Sequence, residues 1–146
     1  MKVLVVNGPN LNLLGSREVE VYGTATLAQI EASLSALASS LGVDIGFFQS
    51  NSEGEIIDRI QQARGTFDGI IINPGGLTHY SVALLDALLA VKLPAVEVHL
   101  TNLARRDELR ARSVVASGVV GRIEGFGPAG YELALKALAD LVGKGK

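Results

Sequence analysis

The stretch KVLVVN (Lys2–Asn7) is a short run of aliphatic, mostly β-branched residues that ends directly in the polar loop GPN. An apolar run without polar alternation is typical of a strand buried on both faces of a parallel sheet. Comparable runs recur at residues 43–50, 67–73, 93–100 and 118–125. Each run is followed by a longer segment, and most of those segments have helical spacing. The chain therefore alternates strand with helix, which predicts a parallel sheet with helices on both faces.

The helical segments carry recognisable start and stop signals. Thr26 with Gln29 and Ser52 with Glu55 have the spacing of capping boxes, and Gly42 is a typical helix terminator. The first long helix has one apolar face, made of Leu27, Ile30, Leu34, Leu37 and Leu41. We predict a flavodoxin-like, doubly wound sheet of five parallel strands, in a single domain that spans residues 1–146.

Polar residues cluster at three of the predicted strand ends. The first, third and fourth strands end in NGPN, NPGG and EVHL. Ligands of open α/β sheets bind in a crevice beyond the carboxyl ends of the strands. We therefore expect these three segments to meet in one site.

The composition narrows the class of protein. The chain has 146 residues, 48% of them hydrophobic, and a net charge of −2, so a single globular domain with a sizeable core is expected. The sequence has no basic stripe, which argues against a nucleic-acid partner, and no apolar run long enough for a membrane span. Cysteine is absent, which excludes disulfides and a thiol nucleophile and fits the reducing cytoplasm, our expected location.

Phosphate and metal chemistry lack their usual motifs. The loop after the first strand has no Walker lysine and no GxGxxG pattern, and Asn73 stands where a receiver domain would need an aspartate. The chain has only two histidines, without the close spacing of a zinc site. We expect neither a nucleotide site nor a metal site.

The two histidines both lie near strand ends. His79 follows a Gly-Gly pair and a short turn, and His99 ends the fourth strand with Glu97 two residues before it on the same face. Imidazole titrates near neutral pH and is suited to donate a proton, while a carboxylate can fix its tautomer. The alternative is that both histidines are structural, with Glu97 a carboxylate at the edge of the core.

The loop NGPNLNLLGSREVEVYG, residues 7–23, contains an arginine and a tyrosine between two glycines. A tyrosine has an ordinary pKa of about 10, so it acts as a base at neutral pH only when its phenolate is stabilised, for example by a nearby cation. Arg17 lies five residues before Tyr22, and Gly15 and Gly23 flank the pair as candidate hinges. Residues 13–24 are thus a candidate mobile lid that excludes water on closing. The alternative is a packed surface loop.

Together these segments resemble the type II 3-dehydroquinate dehydratases along the whole chain. The resemblance is carried by NGPNLNLLGSRE with VYG, QSNSEGEIID, DGIIINPGG with THYSVALLDAL, PAVEVHLTN and GFGPAGYELAL. It implies trans-dehydration of 3-dehydroquinate to 3-dehydroshikimate through an enolate, in aromatic amino acid biosynthesis or quinate catabolism. It also implies that no cofactor or metal is used and that subunits form a dodecamer of four trimers.

The resemblance also implies roles for individual residues. Tyr22 is expected to be the base, assisted by Arg17, and His99 to be the acid, oriented by Glu97. Asn10 is expected to help a water molecule stabilise the enolate. The expected substrate-binding residues are Asn73, His79, Asp86, Leu100, Thr101 and Arg110. In a trimer, Asp86 is expected to serve the site of a neighbouring subunit.

The sequence departs from this family outside the expected catalytic residues. Members of the family often have histidine where this chain has Ser52 and arginine where it has Leu85. The segment NLARRDELRARS lacks three histidines that are typical of the family. These changes bear on the subunit contacts. Two other classes remain open at this stage: a module that binds a small polyol acid or a nucleotide without turnover, and a relative kept only for assembly.

Overall fold

The computed structural model describes residues 1–145, which contain one sheet of five parallel strands. The strand order is β2-β1-β3-β4-β5, so the chain winds outward from the centre in both directions. The strands are β1 (Lys2–Asn7), β2 (Asp44–Gln49), β3 (Gly69–Asn73), β4 (Ala95–His99) and β5 (Gly121–Glu124). The predicted flavodoxin-like, doubly wound fold is therefore confirmed.

Helices cover both faces of the sheet. They are α1 (Val19–Tyr22), α2 (Leu27–Leu41), α3 (Glu53–Ala63), α4 (Val82–Val91) and α5 (Ala129–Lys144). α2 packs with α5 on one face, and α3 packs with α4 on the other. Within residues 1–145, no helix is both long enough and apolar enough to cross a membrane.

The central strand β1 supplies side chains to two separate cores. Val3 and Val5 pack on the side of α2 and α5, whereas Leu4 and Val6 pack on the side of α3 and α4. All four side chains are fully buried, because successive residues of a strand point to opposite faces and both faces are covered. This burial explains why the sequence of β1 shows no polar alternation.

The start of the last strand and the second capping box differ from the predictions. The fifth strand begins at Gly121 rather than at residue 118, because Val115–Gly118 forms a 3₁₀ turn that packs against α4. Only half of the second capping box forms. The backbone N–H of Glu55 donates to the Ser52 hydroxyl at 3.3 Å, but the Glu55 carboxylate accepts from the hydroxyl of Ser50 instead.

The first capping box is complete. The backbone N–H of Gln29 donates to the Thr26 hydroxyl at 3.2 Å, and the backbone N–H of Thr26 donates to the Gln29 side chain at 3.0 Å. Gly42 ends α2 with a φ of 67°, a left-handed conformation that glycine adopts without strain. Both ends of α2 are therefore as the sequence predicts.

The loops after β1 and β3 touch through glycine. The backbone N–H of Gly8 donates to the carbonyl oxygen of Asn73 at 2.8 Å. A Cβ atom on Gly8 would lie 2.3 Å from the carbonyl oxygen of Pro74, well inside van der Waals contact. The two loops are thus held edge to edge, next to residues that line the cleft described below.

We predict that Gly8→Ala destabilises the fold by about 2–3 kcal/mol, because the added methyl group forces the two loops apart. Urea unfolding measures the change. Gly76→Ala is the matched control, since a Cβ at Gly76 meets no atom within 4 Å. Equal stability of the two variants would contradict the proposed contact.

Candidate active site

A cleft opens at the carboxyl edge of the sheet, where the loops after β1, β3 and β4 converge as predicted. Most of the expected site residues line it. The lining side chains and backbone belong to Pro9, Asn10, Leu11, Leu14, Arg17, Tyr22, Asn73, Gly75, Gly76, His79, His99, Leu100, Thr101, Leu103, Arg106 and Arg110. None of these lining residues is acidic, although the chain as a whole carries a net charge of −2. The cleft is therefore suited to an anionic ligand.

His99 and Glu97 form a hydrogen-bonded pair at the end of β4. The Nε2 atom of His99 lies 2.6 Å from Oε1 of Glu97. The carboxylate accepts the Nε2 proton, which leaves Nδ1 as the ring nitrogen available to the cleft. Glu97 itself does not line the cleft but lies behind His99 and is fully buried. The arrangement gives an imidazole with a fixed tautomer at the wall of the site.

The buried carboxylate of Glu97 is surrounded by donors. Ser113 donates to its two oxygens at 2.8 and 2.9 Å, and the Thr78 hydroxyl also donates to Oε1. Burial alone would raise the pKa of Glu97, but hydrogen bonds from His99, Thr78 and Ser113 and the nearby imidazole outweigh it and hold the pKa below its usual value. Glu97 therefore stays ionised and ready to stabilise a protonated His99.

The guanidinium group of Arg122 also lies near the Glu97 carboxylate. Nε of Arg122, on β5, lies 3.7 Å from Oε2 of Glu97, while its Nη2 donates to Glu124 at 2.6 Å. The guanidinium therefore pairs chiefly with Glu124.

Tyr22 lies between two guanidinium groups. The Cζ atom of Arg17 is 4.9 Å from the centroid of the ring, and that of Arg106 is 5.4 Å from it. Arg106 also donates from Nη1 to the Tyr22 hydroxyl at 3.3 Å and to the Thr101 hydroxyl at 3.4 Å. Arg17 therefore contacts the ring face, whereas the cation at the hydroxyl oxygen is Arg106.

Asn73, the last residue of β3, and His79, in the turn that follows, both line the cleft. Nδ1 of His79 lies 2.8 Å from the backbone carbonyl oxygen of Arg112. This bond takes the Nδ1 proton, so Nε2 is left as an acceptor. The Asn73 amide is held from both ends: its nitrogen donates to the Tyr131 hydroxyl at 2.9 Å, and its oxygen accepts from the backbone N–H of Gly75 at 3.2 Å.

Asn10 occupies a left-handed backbone conformation, with φ of 70°. Its backbone N–H donates to Oδ1 of Asn51 at 2.9 Å, and Gln49 donates to the same oxygen at 3.3 Å and to the Gly8 carbonyl at 3.2 Å. The end of β2 thus holds the loop after β1 in place. Asparagine tolerates this backbone region better than most residues.

The loop after β4 supplies the remaining expected residues. Leu100, Thr101 and Arg110 line the cleft, and Nη1 of Arg110 donates to Asp107 at 2.6 Å. Asp86 is the exception. It lies on α4 with an exposed side chain and is not part of the cleft of its own chain.

Three polar side chains around the site were not among the expected site residues. Arg106, Thr78 and Ser113 contact Tyr22 or Glu97 directly. Thr78 directly precedes the candidate residue His79, and this adjacency could have indicated that Thr78 belongs to the site. Arg106 and Ser113 lie in an irregular loop, where no periodicity indicates which side chains point inward.

The fold and the cleft define a doubly wound α/β protein with a cleft that histidine, tyrosine and arginine side chains line at the carboxyl edge of its sheet. Residues 1–139 match the family described as dehydroquinase class II, and the chain belongs to that family. Among similar proteins, the 3-dehydroquinate dehydratase of Desulforudis audaxviator is 58% identical over 146 residues, covering 100% of this chain and 97% of the relative. That of Halothermothrix orenii is 54% identical, covering 99% and 97%.

Solved structures agree with this assignment. The type II dehydroquinase from Butyrivibrio crossotus superposes with a TM-score of 0.93 at 44% identity, covering 94% of this chain and 97% of that one. The type II dehydroquinase from Propionibacterium acnes gives a TM-score of 0.92 at 43% identity, covering 95% and 96%.

We predict that Glu97→Gln lowers the free energy of unfolding by about 1–3 kcal/mol at neutral pH, because the charged hydrogen bonds are lost. The pKa of Glu97 is lowered by folding. Its contribution is therefore fully present above the ordinary glutamate pKa of about 4.3 and is lost as the pH falls through the lower folded value. The parent and the variant should converge in stability at acidic pH, as measured by urea midpoints between pH 7 and pH 3.

Glu108→Gln is the control for this experiment. Its side chain is exposed, and exposed charges contribute little to stability. A gap between Glu97→Gln and the parent that stays constant down to the lowest pH would contradict the prediction.

Proposed function

We propose that the protein is a 3-dehydroquinate dehydratase that converts 3-dehydroquinate to 3-dehydroshikimate by trans elimination of water. The observation that supports the proposal is that Tyr22 and His99 line the same cleft, each beside charged side chains. Tyr22 lies against Arg17 and Arg106, and His99 is backed by Glu97. Elimination next to a carbonyl needs a base for the α-proton and an acid for the leaving hydroxyl. Membership of the class II dehydroquinase family supports the same reaction.

Tyr22 is the proposed base. As phenolate, it removes the proton at C2 of the substrate, and the electron pair of the C–H bond forms the enolate. Arg106 donates to the Tyr22 oxygen, and Arg17 lies over the ring. The side chain of Asn10 lines the same cleft, and we assign it the role of holding a water molecule against the enolate oxygen.

His99 is the proposed acid. The enolate collapses with cleavage of the C1–O bond, and protonated His99 delivers its proton to the departing hydroxyl as water forms. The Glu97 carboxylate stabilises the imidazolium before transfer and fixes the ring orientation throughout. Because the Glu97 oxygens also accept from Thr78 and Ser113, the carboxylate is held in one position.

The other cleft residues are proposed to bind the substrate. Arg110, His79 and Asn73 offer a cation, an acceptor nitrogen and an amide to the ring hydroxyls, and Leu100 and Thr101 offer a backbone segment and a hydroxyl to the carboxylate. The absence of acidic residues from the lining fits the negative charge of 3-dehydroquinate. We propose no cofactor or metal, since side chains supply both the base and the acid.

Residues 13–24 are the proposed lid. Gly15 and Gly23 have φ of 88° and 83°, so glycine is required at both ends of the segment. Val19 and Val21, on α1 between these glycines, are largely exposed. Closure over a bound ligand would bury apolar side chains and bring Arg17 and Tyr22 onto the substrate. The floor of the cleft, up to Asn10, would stay fixed.

The direct test is turnover by the purified protein in buffer containing EDTA. We expect 3-dehydroquinate to be converted to a conjugated enone, whose ultraviolet absorbance reports the product. Folded protein that gives no product would overturn the proposal and leave a binding module or an assembly protein as the alternatives.

Tyr22→Phe is the matched variant in the same assay. Removal of the base should lower kcat by at least about 100-fold while the circular dichroism spectrum stays unchanged. Arg17→Ala should also lower kcat, since Arg17 contacts the Tyr22 ring. Near-normal activity of Tyr22→Phe would show that another group removes the proton.

We further propose a homo-oligomer, a dodecamer of four trimers, in the cytoplasm. Val82, Asp86 and Leu89 are spaced by four and three residues, so they share one face of α4, and all three are exposed. Tyr80 and Val120 are exposed as well. An apolar face around one carboxylate is suited to pack on a second copy, where Asp86 would reach the neighbouring site.

Light scattering should give a mass near twelve times 15.3 kDa. Leu89→Asp should reduce the mass, because it places a charge in the proposed interface. Leu133→Asp is the control, on an exposed position of α5. If the mass of the assembly is unchanged in Leu89→Asp, this face of α4 is not part of the subunit interface.

A further inference from the structure

Tyr131 is a polar residue in an otherwise apolar core. It lies on α5 and is fully buried among the side chains that α2 and α5 pack against the sheet. Its hydroxyl donates to Oδ1 of Asn7 at 2.6 Å and accepts from Nδ2 of Asn73 at 2.9 Å. Parallel pairing places Asn7 beside Asn73 at the ends of β1 and β3, so one hydroxyl bridges the two strands under the cleft.

The direction of these hydrogen bonds is fixed by the number of protons. Burial raises the pKa of Tyr131 above its ordinary value, so the hydroxyl keeps its one proton. Asn7 takes that proton through its oxygen, and the Tyr131 oxygen then only accepts. Asn73 must therefore turn its nitrogen toward Tyr131 and its oxygen toward the N–H of Gly75, 3.2 Å away. The opposite orientation of the amide would set donor against donor at Gly75.

Asn7 gives up one hydrogen-bonding group in this arrangement. Its Nδ2 atom is the only buried side-chain nitrogen or oxygen within residues 1–145 that has no partner. Such a group is costly, and natural proteins contain few of them. Leucine has nearly the same shape and would remove this nitrogen, but it would also take away the acceptor of the buried Tyr131 hydroxyl. The feature that asparagine adds is the oxygen that orders the Tyr131 hydroxyl.

We propose that Asn7 and Tyr131 are positioning residues that lock the amide of Asn73 in one orientation toward a substrate hydroxyl. The inference rests on the proposed role of Asn73 in substrate binding. The locked amide presents one free N–H and one free lone pair at fixed places in the cleft. A rigid donor–acceptor pair of this kind recognises a hydroxyl, which both accepts and donates.

Steady-state kinetics of Tyr131→Phe test the proposal. The variant keeps the ring and removes the bridge, so the nitrogen of the Asn73 amide loses its buried partner and only the N–H of Gly75 still holds the group. We expect KM to rise about three- to tenfold, the value of one neutral hydrogen bond, while kcat changes less than twofold. Leu138→Val is the control. It removes one methylene from a fully buried position of α5 and should lower the thermal midpoint without raising KM.

A double-mutant cycle separates a role through Asn73 from general destabilisation. Asn73→Ala alone should raise KM, and adding Tyr131→Phe to it should raise KM no further, because no amide is left to orient. A full additional rise in the double variant would overturn the relay while leaving the role of Asn73 intact. An unchanged KM in Asn73→Ala would instead overturn the role of Asn73 itself, and the relay with it.

Asn7→Leu provides a second route in case Tyr131→Phe does not fold. It leaves Tyr131 and Asn73 in place and removes both the ordering oxygen and the unpaired nitrogen of Asn7. Loss of the acceptor for the Tyr131 hydroxyl is offset by removal of the unpaired nitrogen, so the thermal midpoint should stay close to that of the parent, while KM rises as in Tyr131→Phe. A parent-like KM in this stable variant would contradict the proposal, since a purely structural role predicts no such separation of KM from stability.

Discussion

The parallel register of β1, β3 and β4 is the constraint on which the rest of the molecule depends. Asn7 pairs with Asn73, and Ile72 pairs with Glu97, so the three strands end at the same edge of the sheet. The loops after β1 and β3 pack closely at this edge. A side chain at position 8 would overlap the backbone of Pro74, and the chain has glycine there. The cleft is the space above these three strand ends.

A buried negative charge organises the reactive half of the cleft. Glu97 is fully buried, and burying a carboxylate is costly unless it is hydrogen-bonded and paired. Thr78, Ser113 and His99 come from three different segments to satisfy it. The same contacts that make the buried charge tolerable also fix the imidazole that faces the cleft. Stability and chemistry are therefore coupled at this residue.

The opposite half of the cleft is built from an exposed segment. Tyr22 is held by Arg17 and Arg106 rather than by a buried network, and glycines with positive φ lie on both sides of its segment. Arg17 also pairs with exposed Glu18 at 3.6 Å, an interaction that solvent weakens. The two halves of the cleft therefore differ in how their side chains are held: His99 is fixed by a buried network, whereas Tyr22 is held at the surface.

Most of the fold followed from local patterns in the sequence. The signals that predicted it each act over a few neighbouring residues, so they can be recognised in the sequence alone. They are the apolar runs, the capping residues Thr26 and Gln29, and the glycine at position 42. The predicted last strand begins before the observed one, because the apolar residues at 115–120 are as suited to a buried turn as to a strand. Of the expected site residues, those that directly follow strands were brought together in the cleft, since parallel strands share an edge.

The sequence by itself determined the sheet, its helices and the edge at which polar residues would meet. Tertiary structure alone decided which groups touch. Arg106 reaches Tyr22 across 84 positions of the chain, and Tyr131 reaches Asn7 across 124. Such contacts depend on how an irregular loop and a distant helix pack, and no periodicity in the sequence indicates that residues so far apart will meet. Asp86 lies outside the cleft of its own chain, because it is on the exposed face of α4, away from the sheet.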